Sequence, residues 1–461
     1  MRPFLPKQAP QEFHPTPAAT DAGLTSRYSP KQPLPPLRHI VRMLLLTAPL
    51  CAAPLRDTIA DPAIYTVQFY RGQNTLSFPY LGLNENQVLT LEFDELRTGG
   101  TSDFWVRIQL CNRHWEPSAL PLTEYWPAFL SDRITEFSLS IGTRVPYVHY
   151  RYQIQNLFQR SGFYVIEVFR NNDPARLVLR RRFYIVENAV QIAPDWGTQV
   201  VTGARQRFQS LAFKVYPRSL QSLQNYQEFF CSVLQNGRWD RISPNLRPTF
   251  LGQDYLEYRF QPGLDLEAGN EFRMLDLRSI LRRRSFQIER TLWSDSGIVI
   301  LLSPERPRAN GVYFSQIDLN GRFLIQLQDL PLDPTNPQWT GRDELSTIQA
   351  DYFWVEFRLQ ADKYPHPIYV VGGFMGWSPD PRYELLYDET RHEYRRRIRL
   401  KQGVYDYLNA LYDPACACFR TEPIEGSYFE TENIYLIIVG YRGFTDREDR
   451  VVGHRWIGVY E

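Results

Sequence analysis

The chain has 461 residues, is 43% apolar and 14% aromatic, and carries a formal net charge of +1. That length holds about three domains, and the apolar share suits a protein that buries real cores. The near-neutral balance gives no electrostatic case for nucleic acid, which favours a basic face or a pI above about 9.

Residues 1–37 are Pro-rich and polar without a hydrophobic period, so they cannot bury enough surface to fold. Arg38-His39-Ile40-Val41-Arg42 precedes the apolar run Met43–Leu50, and Cys51-Ala52-Ala53 follows. A basic flank, a short apolar run and small residues make a secretory signal pattern. The run falls short of the ~20 apolar residues that span a bilayer, and no other segment is expected to cross as a helix. Its depth in the chain places the expected native start near Val41 or Met43. Leu50 argues against lipidation of Cys51, because a lipid-attachment box wants a small residue directly before the Cys. Residues 1–57 are thus read as a disordered extension with a signal-like segment near 38–53, implying export.

Strand signals dominate after residue 60. Val88–Phe93, Phe104–Leu110 and Phe163–Phe169 alternate apolar and polar residues, the period of two of a half-buried strand. Asn171-Asn172-Asp173-Pro174 reads as a turn and Leu177–Val186 as the returning strand. A short helix is expected within Ser118–Phe129. The second unit carries strands at Phe208–Tyr216 and Phe229–Gln235. Asn236-Gly237 then makes a tight turn, since both residues tolerate positive φ. Gly311–Ile317 and Arg322–Leu327, flanking Asp318-Leu319-Asn320-Gly321, read as a hairpin. The third unit has Tyr352–Leu359, Ile368–Phe374, Gly376-Trp377 and Gly403-Val404-Tyr405-Asp406-Tyr407. The expected fold class is mainly β, as consecutive β-sandwiches over 58–187, 188–340 and 341–461.

Catalytic signatures are missing: no Walker loop, no His-Glu-x-x-His, no Gly-x-Ser-x-Gly and no dinucleotide fingerprint. No cofactor and no metal site are expected. His149 reads as a packed, hydrogen-bonded residue, and Asp94-Glu95 as turn or capping groups at a strand end. Cys111, Cys231, Cys416 and Cys418 allow three disulfide pairings, and Cys416-Ala417-Cys418 is too close for an unstrained local bridge in most geometries. Arg outnumbers Lys 47 to five. The triplets Arg180–Arg182, Arg282–Arg284 and Arg395–Arg397 read as solvated strand edges or salt-bridging faces, with docking as the alternative.

Several segments in order carry a more specific message. They are Phe93-Asp94, Cys111-Asn112-Arg113-His114-Trp115, Tyr147-Val148-His149-Tyr150, Ser161-Gly162, Arg181-Arg182-Phe183, Asn270-Glu271-Phe272-Arg273, Asp318-x-Asn320-Gly321 and Glu425–Asn433. Together they resemble the type IX secretion system plug protein family. The family's first domain has a His-Cys-Asn-x-Asp-Trp-type segment; Cys111, Asn112 and Trp115 match it, whereas Leu110 and His114 depart. Gly373 and Trp377, within the Gly-x-Phe-x-x-Trp run Gly372-Gly373-Phe374-Met375-Gly376-Trp377, resemble early-set immunoglobulin-like domains, including glycogen-binding modules. The resemblance implies a non-enzymatic periplasmic plug. Its partner would be the outer-membrane β-barrel translocon, which it closes when no cargo is present. The alternative is an exported carbohydrate-binding protein, with Trp377 as its sugar platform.

Overall fold

The computed structural model describes residues 54–195, 207–217, 223–281, 285–294, 297–329 and 344–458. The signal-like segment and Arg282–Arg284 lie outside them.

The main strands of the first region are β1 (Ile64–Arg71), β2 (Val88–Leu96), β3 (Phe104–Cys111), β4 (Tyr147–Gln155), β5 (Gly162–Arg170) and β6 (Leu177–Val186). β1, β2 and β4 lie in one sheet; β6, β5 and β3 lie in a second. The alternation in β2 sends Leu89, Leu91 and Phe93 inward, each fully buried. Phe104, Val106 and Ile166 of the other sheet share that core. Asn171 and Asn172 both take positive φ and turn β5 into β6. The helix expected within 118–129 is a single 3-10 turn, Leu122–Glu124. Pro117, Pro121 and Pro127 interrupt any longer run, since each lacks a helix N–H.

The later strands are β7 (Phe213–Tyr216), β8 (Phe229–Gln235), β9 (Leu256–Tyr258), β10 (Arg273–Asp276), β11 (Ile288–Ser294), β12 (Gly297–Leu302) and β13 (Phe323–Ile325). They continue as β14 (Tyr352–Gln360), β15 (Ile368–Val371), β16 (Glu393–Lys401), β17 (Gly403–Asp413), β18 (Ile434–Tyr441) and β19 (Arg450–Gly458). The structure is mainly β, in several sheets. These strands do not sort into sequential units at 188–340 and 341–461. β8 pairs along its length with β18, from Phe229↔Tyr441 to Gln235↔Tyr435. β10 pairs with β17, and β12 runs parallel to β14. One core joins Phe213, Val215 and Val233 to Ile437 and Val439. A ten-stranded sheet gathers β10 through β17 around another. The ten-stranded unit is therefore nested between β9 and β18. Periodicity reports which face of a strand is buried, not which strand lies beside it.

Asn236 and Gly237 make the expected turn, both with positive φ. Ile242–Leu246 then returns beside β8. The expected hairpin at 311–327 is different: residues 311–317 form no strand, and β13 pairs with β17 instead. The turn between them is held by two carboxyl groups. Asp318 accepts from the N–H groups of Asn320 and Phe272, and Asp406 from those of Leu319 and Gly321. A further apolar cluster joins the first sandwich to the β8–β18 sheet, packing Cys111, Trp115, Phe163 and Tyr184 against Phe230, Leu436 and Val451.

Candidate functional site

Two buried ionic centres fix the frame. Asp94 and Glu95 lie within β2 and are buried, so they are not turn groups at an open strand end. Asp94 accepts from Lys401 Nζ and the Tyr352 hydroxyl, each at 2.6 Å, and His149 Nδ1 lies 2.7 Å away. Burial opposes ionisation of Asp94. Lys401 and His149 outweigh it and hold the carboxyl below its usual range. His149 is thus engaged with Asp94. At the second centre Glu425 receives Arg273 Nε at 3.0 Å, Arg308 Nε at 2.7 Å and the Asn409 N–H at 2.8 Å. Asn270 Nδ2 donates to the Glu425 carbonyl at 2.7 Å.

Elsewhere in the fold, aromatic rings and guanidiniums converge. Asn112 Oδ1 accepts the N–H groups of His114 and Glu116 at 2.8 and 3.1 Å. The resulting turn presents Trp115 at φ +62°. It uses only the backbone of residue 114, whose side chain is exposed, so this departure from the family segment leaves the turn intact. The Arg182 guanidinium lies 5.3 Å from the Trp115 ring centre and 4.3 Å from that of Trp239. Its Nε donates to Asp57 at 2.8 Å. Arg238 stacks at 3.7 Å on Trp377, and Phe272 meets the same indole edge-on. Arg238 also makes a two-pronged ion pair with Asp240. Gly373 brings its N–H to the Gly321 carbonyl at 2.8 Å, where a Cβ would come 3.0 Å from that oxygen.

A cavity of about 430 Å³ opens at this junction, lined by Arg113, His114, Trp115, Trp239 and Trp377. Aromatic faces beside guanidiniums suit binding through stacking and cation–π contact. Among the described residues, no cluster of three or more His, Cys, Asp or Glu is placed to hold a metal.

Residues 64–187 match the family model described as type 9 secretion system plug protein 1st domain. This segment is a plug-family first domain. The chain is also similar to a solved hypothetical protein from Parabacteroides merdae, with a TM-score of 0.80 and 26% identity over 88% of this chain and 99% of that one. No curated protein matches. No helix of the described residues is long and apolar enough to cross a membrane.

The plug first domain supplies Trp115 and Arg182 to the junction; Trp239, Phe272, Gly373 and Trp377 come from outside it. Other expected signature residues support the domain from within. Phe93 stacks on Tyr150 in the core. The Tyr150 hydroxyl accepts the Ser102 N–H at 2.7 Å. Gly162 takes φ +153°, and a Cβ there would come 2.9 Å from Leu110 Cδ1. The Cys111 thiol is buried and free, and burial, with Glu167 next, pushes its pKa up to about 12. Arg273 belongs to the Glu425 centre. The arginine triplets are not solvated edges throughout: Arg181 and Arg182 are buried, while Arg395 and Arg397 both pair with Glu356.

Cys416 and Cys418 form a disulfide at the tip between β17 and Cys418–Arg420, on the rim of the large cavity. Their Cα atoms stand 5.2 Å apart, inside the ordinary range for a bridge. The two-residue spacing closes because the hairpin tip folds back, with Ala417 at positive φ. Trp239, Arg238 and Asp57 escape sequence reading because the partners they meet at the junction, Arg182 and Trp377, lie far away in the chain.

Proposed function

We propose that the chain is a non-enzymatic periplasmic plug. It binds the outer-membrane β-barrel translocon of the type IX secretion system and occludes it when no cargo is present. The carrying observation is the match of residues 64–187 to the plug first-domain model. The physics fits that role. A water-filled barrel leaks, so an empty pore needs a stiff body to close it. Here the first sandwich is fastened to the rest by an apolar interface and by the Asp94–Lys401 pair. Release requires the plug to prefer the empty translocon, because an equilibrium shifts only by differential affinity.

The test is to tag the C-terminus, purify the protein from its host in mild detergent and identify partners by mass spectrometry. Recovery of a very large outer-membrane barrel, with tighter binding to its empty form, is the expected result. Recovery alone, even after cross-linking, would sink the plug reading. Equal affinity for empty and cargo-loaded barrels would sink the release mechanism.

A further inference from the structure

Beside the junction lies a smaller cavity of about 130 Å³, between the first sandwich and the turn that follows β15. Three guanidiniums reach it, those of Arg181, Arg182 and Arg322, against one carboxylate, Asp57. Asp57 is engaged by Arg182, whose Nε and backbone N–H both donate to Oδ1. Arg181, 7% exposed, donates from Nη1 to the carbonyls of Thr58 and Arg180. Neither Arg181 nor Arg322 forms an ion pair among the described residues. Gln68, 8% exposed, lines the same cavity, and its amide has no protein partner among the described residues.

Two glycines at positive φ border these groups. A Cβ on Gly376 would come 3.4 Å from Arg181 Nη2, and one on Gly237 would come 3.5 Å from Arg322 Nη2. Burial pulls the Arg322 pKa down to about 10, with Asp406 opposing, the mark of a cation short of counter-charge. Buried cations are ordinarily paired. The guanidinium fork matches the oxygens of phosphate in geometry as well as charge. At about 30 Å³ per water, the cavity holds roughly four waters, or a small ion with part of its hydration.

We propose that this cavity binds a small tetrahedral oxyanion of the phosphate class, held by the guanidiniums of Arg181 and Arg322 and the amide of Gln68. The site stands on its own geometry, whether or not the chain occludes a barrel. The ion is either free phosphate or the terminal phosphate of a monoester.

The test is isothermal titration of the full chain with inorganic phosphate, and separately with glucose 1-phosphate, against chloride at matched ionic strength. Saturable phosphate binding with a Kd below about 1 mM is expected, weakened at least about tenfold in Arg322→Met and in Gln68→Leu. Binding of the monoester as well assigns the site to terminal phosphates; binding of inorganic phosphate alone assigns it to the free ion. The same response to chloride as to phosphate would overturn the proposal. So would undiminished phosphate binding in both variants. Gln68→Leu removes no ion pair, so it reports binding even if an arginine variant folds poorly. Without phosphate, Arg322→Met should melt no lower than the parent, because it removes an uncompensated buried charge.

Discussion

Replacing Lys401 by Met should be among the most damaging single changes in this chain. Lys401 and Asp94 are both fully buried, with 2.6 Å between Nζ and Oδ2. The substitution keeps the volume roughly constant but strands the Asp94 carboxylate, with only Tyr352 and His149 left to face it. Breaking one side of a buried pair costs about 3–5 kcal/mol. Asp94→Asn strands the ammonium instead, against the Tyr147 ring 4.1 Å away, and should cost a similar amount. Removing both charges together leaves neither stranded. The double variant should therefore lose at least about 2 kcal/mol less than the sum of the singles, well beyond the ~0.5 kcal/mol expected of independent sites. Urea titration followed by tryptophan fluorescence reads all three. The sign with pH follows from the lowered Asp94 pKa. Stability from this pair is full above the ordinary carboxyl value near 3.9 and is lost as pH falls below it, a dependence that Lys401→Met should flatten. Additive singles, or singles each costing under about 1 kcal/mol, would refute the coupled pair.

Three further outcomes are expected. Arg182→Ala should cost about 2–4 kcal/mol, because it strands buried Asp57 and removes the cation between Trp115 and Trp239; Arg182→Lys should recover less than half in the same urea titration, lacking the planar fork. Asp406 has its pKa raised to about 8 by burial and then by Asp318. The folded state thus holds a proton that the unfolded state releases, so stability falls as pH rises from about 4 to about 8. Asp406→Asn should remove that slope in urea midpoints, and an unchanged slope would contradict the assignment. Burial also pushes the thiols of Cys111 and Cys231 up to about 12. Iodoacetamide at pH 8 should leave both unmodified in the folded chain and label them after unfolding, whereas mild reduction should open the Cys416–Cys418 bridge and make its thiols label in the folded chain; mass spectrometry of tryptic peptides distinguishes these cases.

Local rules carried much of the fold. The alternation of Leu89, Leu91 and Phe93 and the paired asparagines 171 and 172 each specify a conformation within a few residues. Long-range pairing was not legible, because nothing in the pattern of Phe229–Gln235 says that its neighbour is Ile434–Tyr441. The same gap explains Asp94. A carboxylate near a strand end reads as a turn group until Lys401 arrives from β16 to bury it. At 311–317 the alternation resembles a strand, yet β17 takes β13 as its partner and leaves that segment outside the sheet. At the candidate site, Trp115, Arg182 and Trp377 were visible one by one. Their convergence depends on Trp239 and Arg238, placed by the turn at Asn236-Gly237.

The nesting of one unit within another has a consequence for biosynthesis. When β8 leaves the ribosome, its partner β18 is still about 200 residues away. At roughly 5–20 residues per second, that is a wait of about 10–40 s. Throughout it, Phe229, Cys231 and Val233 have no β18 to cover them, on a strand edge that invites the wrong neighbour. A chain cut anywhere before Ile434 would keep that edge open indefinitely. Nascent chains of this protein are therefore natural clients for a holding chaperone, and proteolysis of stalled products should begin in the β7–β9 region while the first sandwich survives.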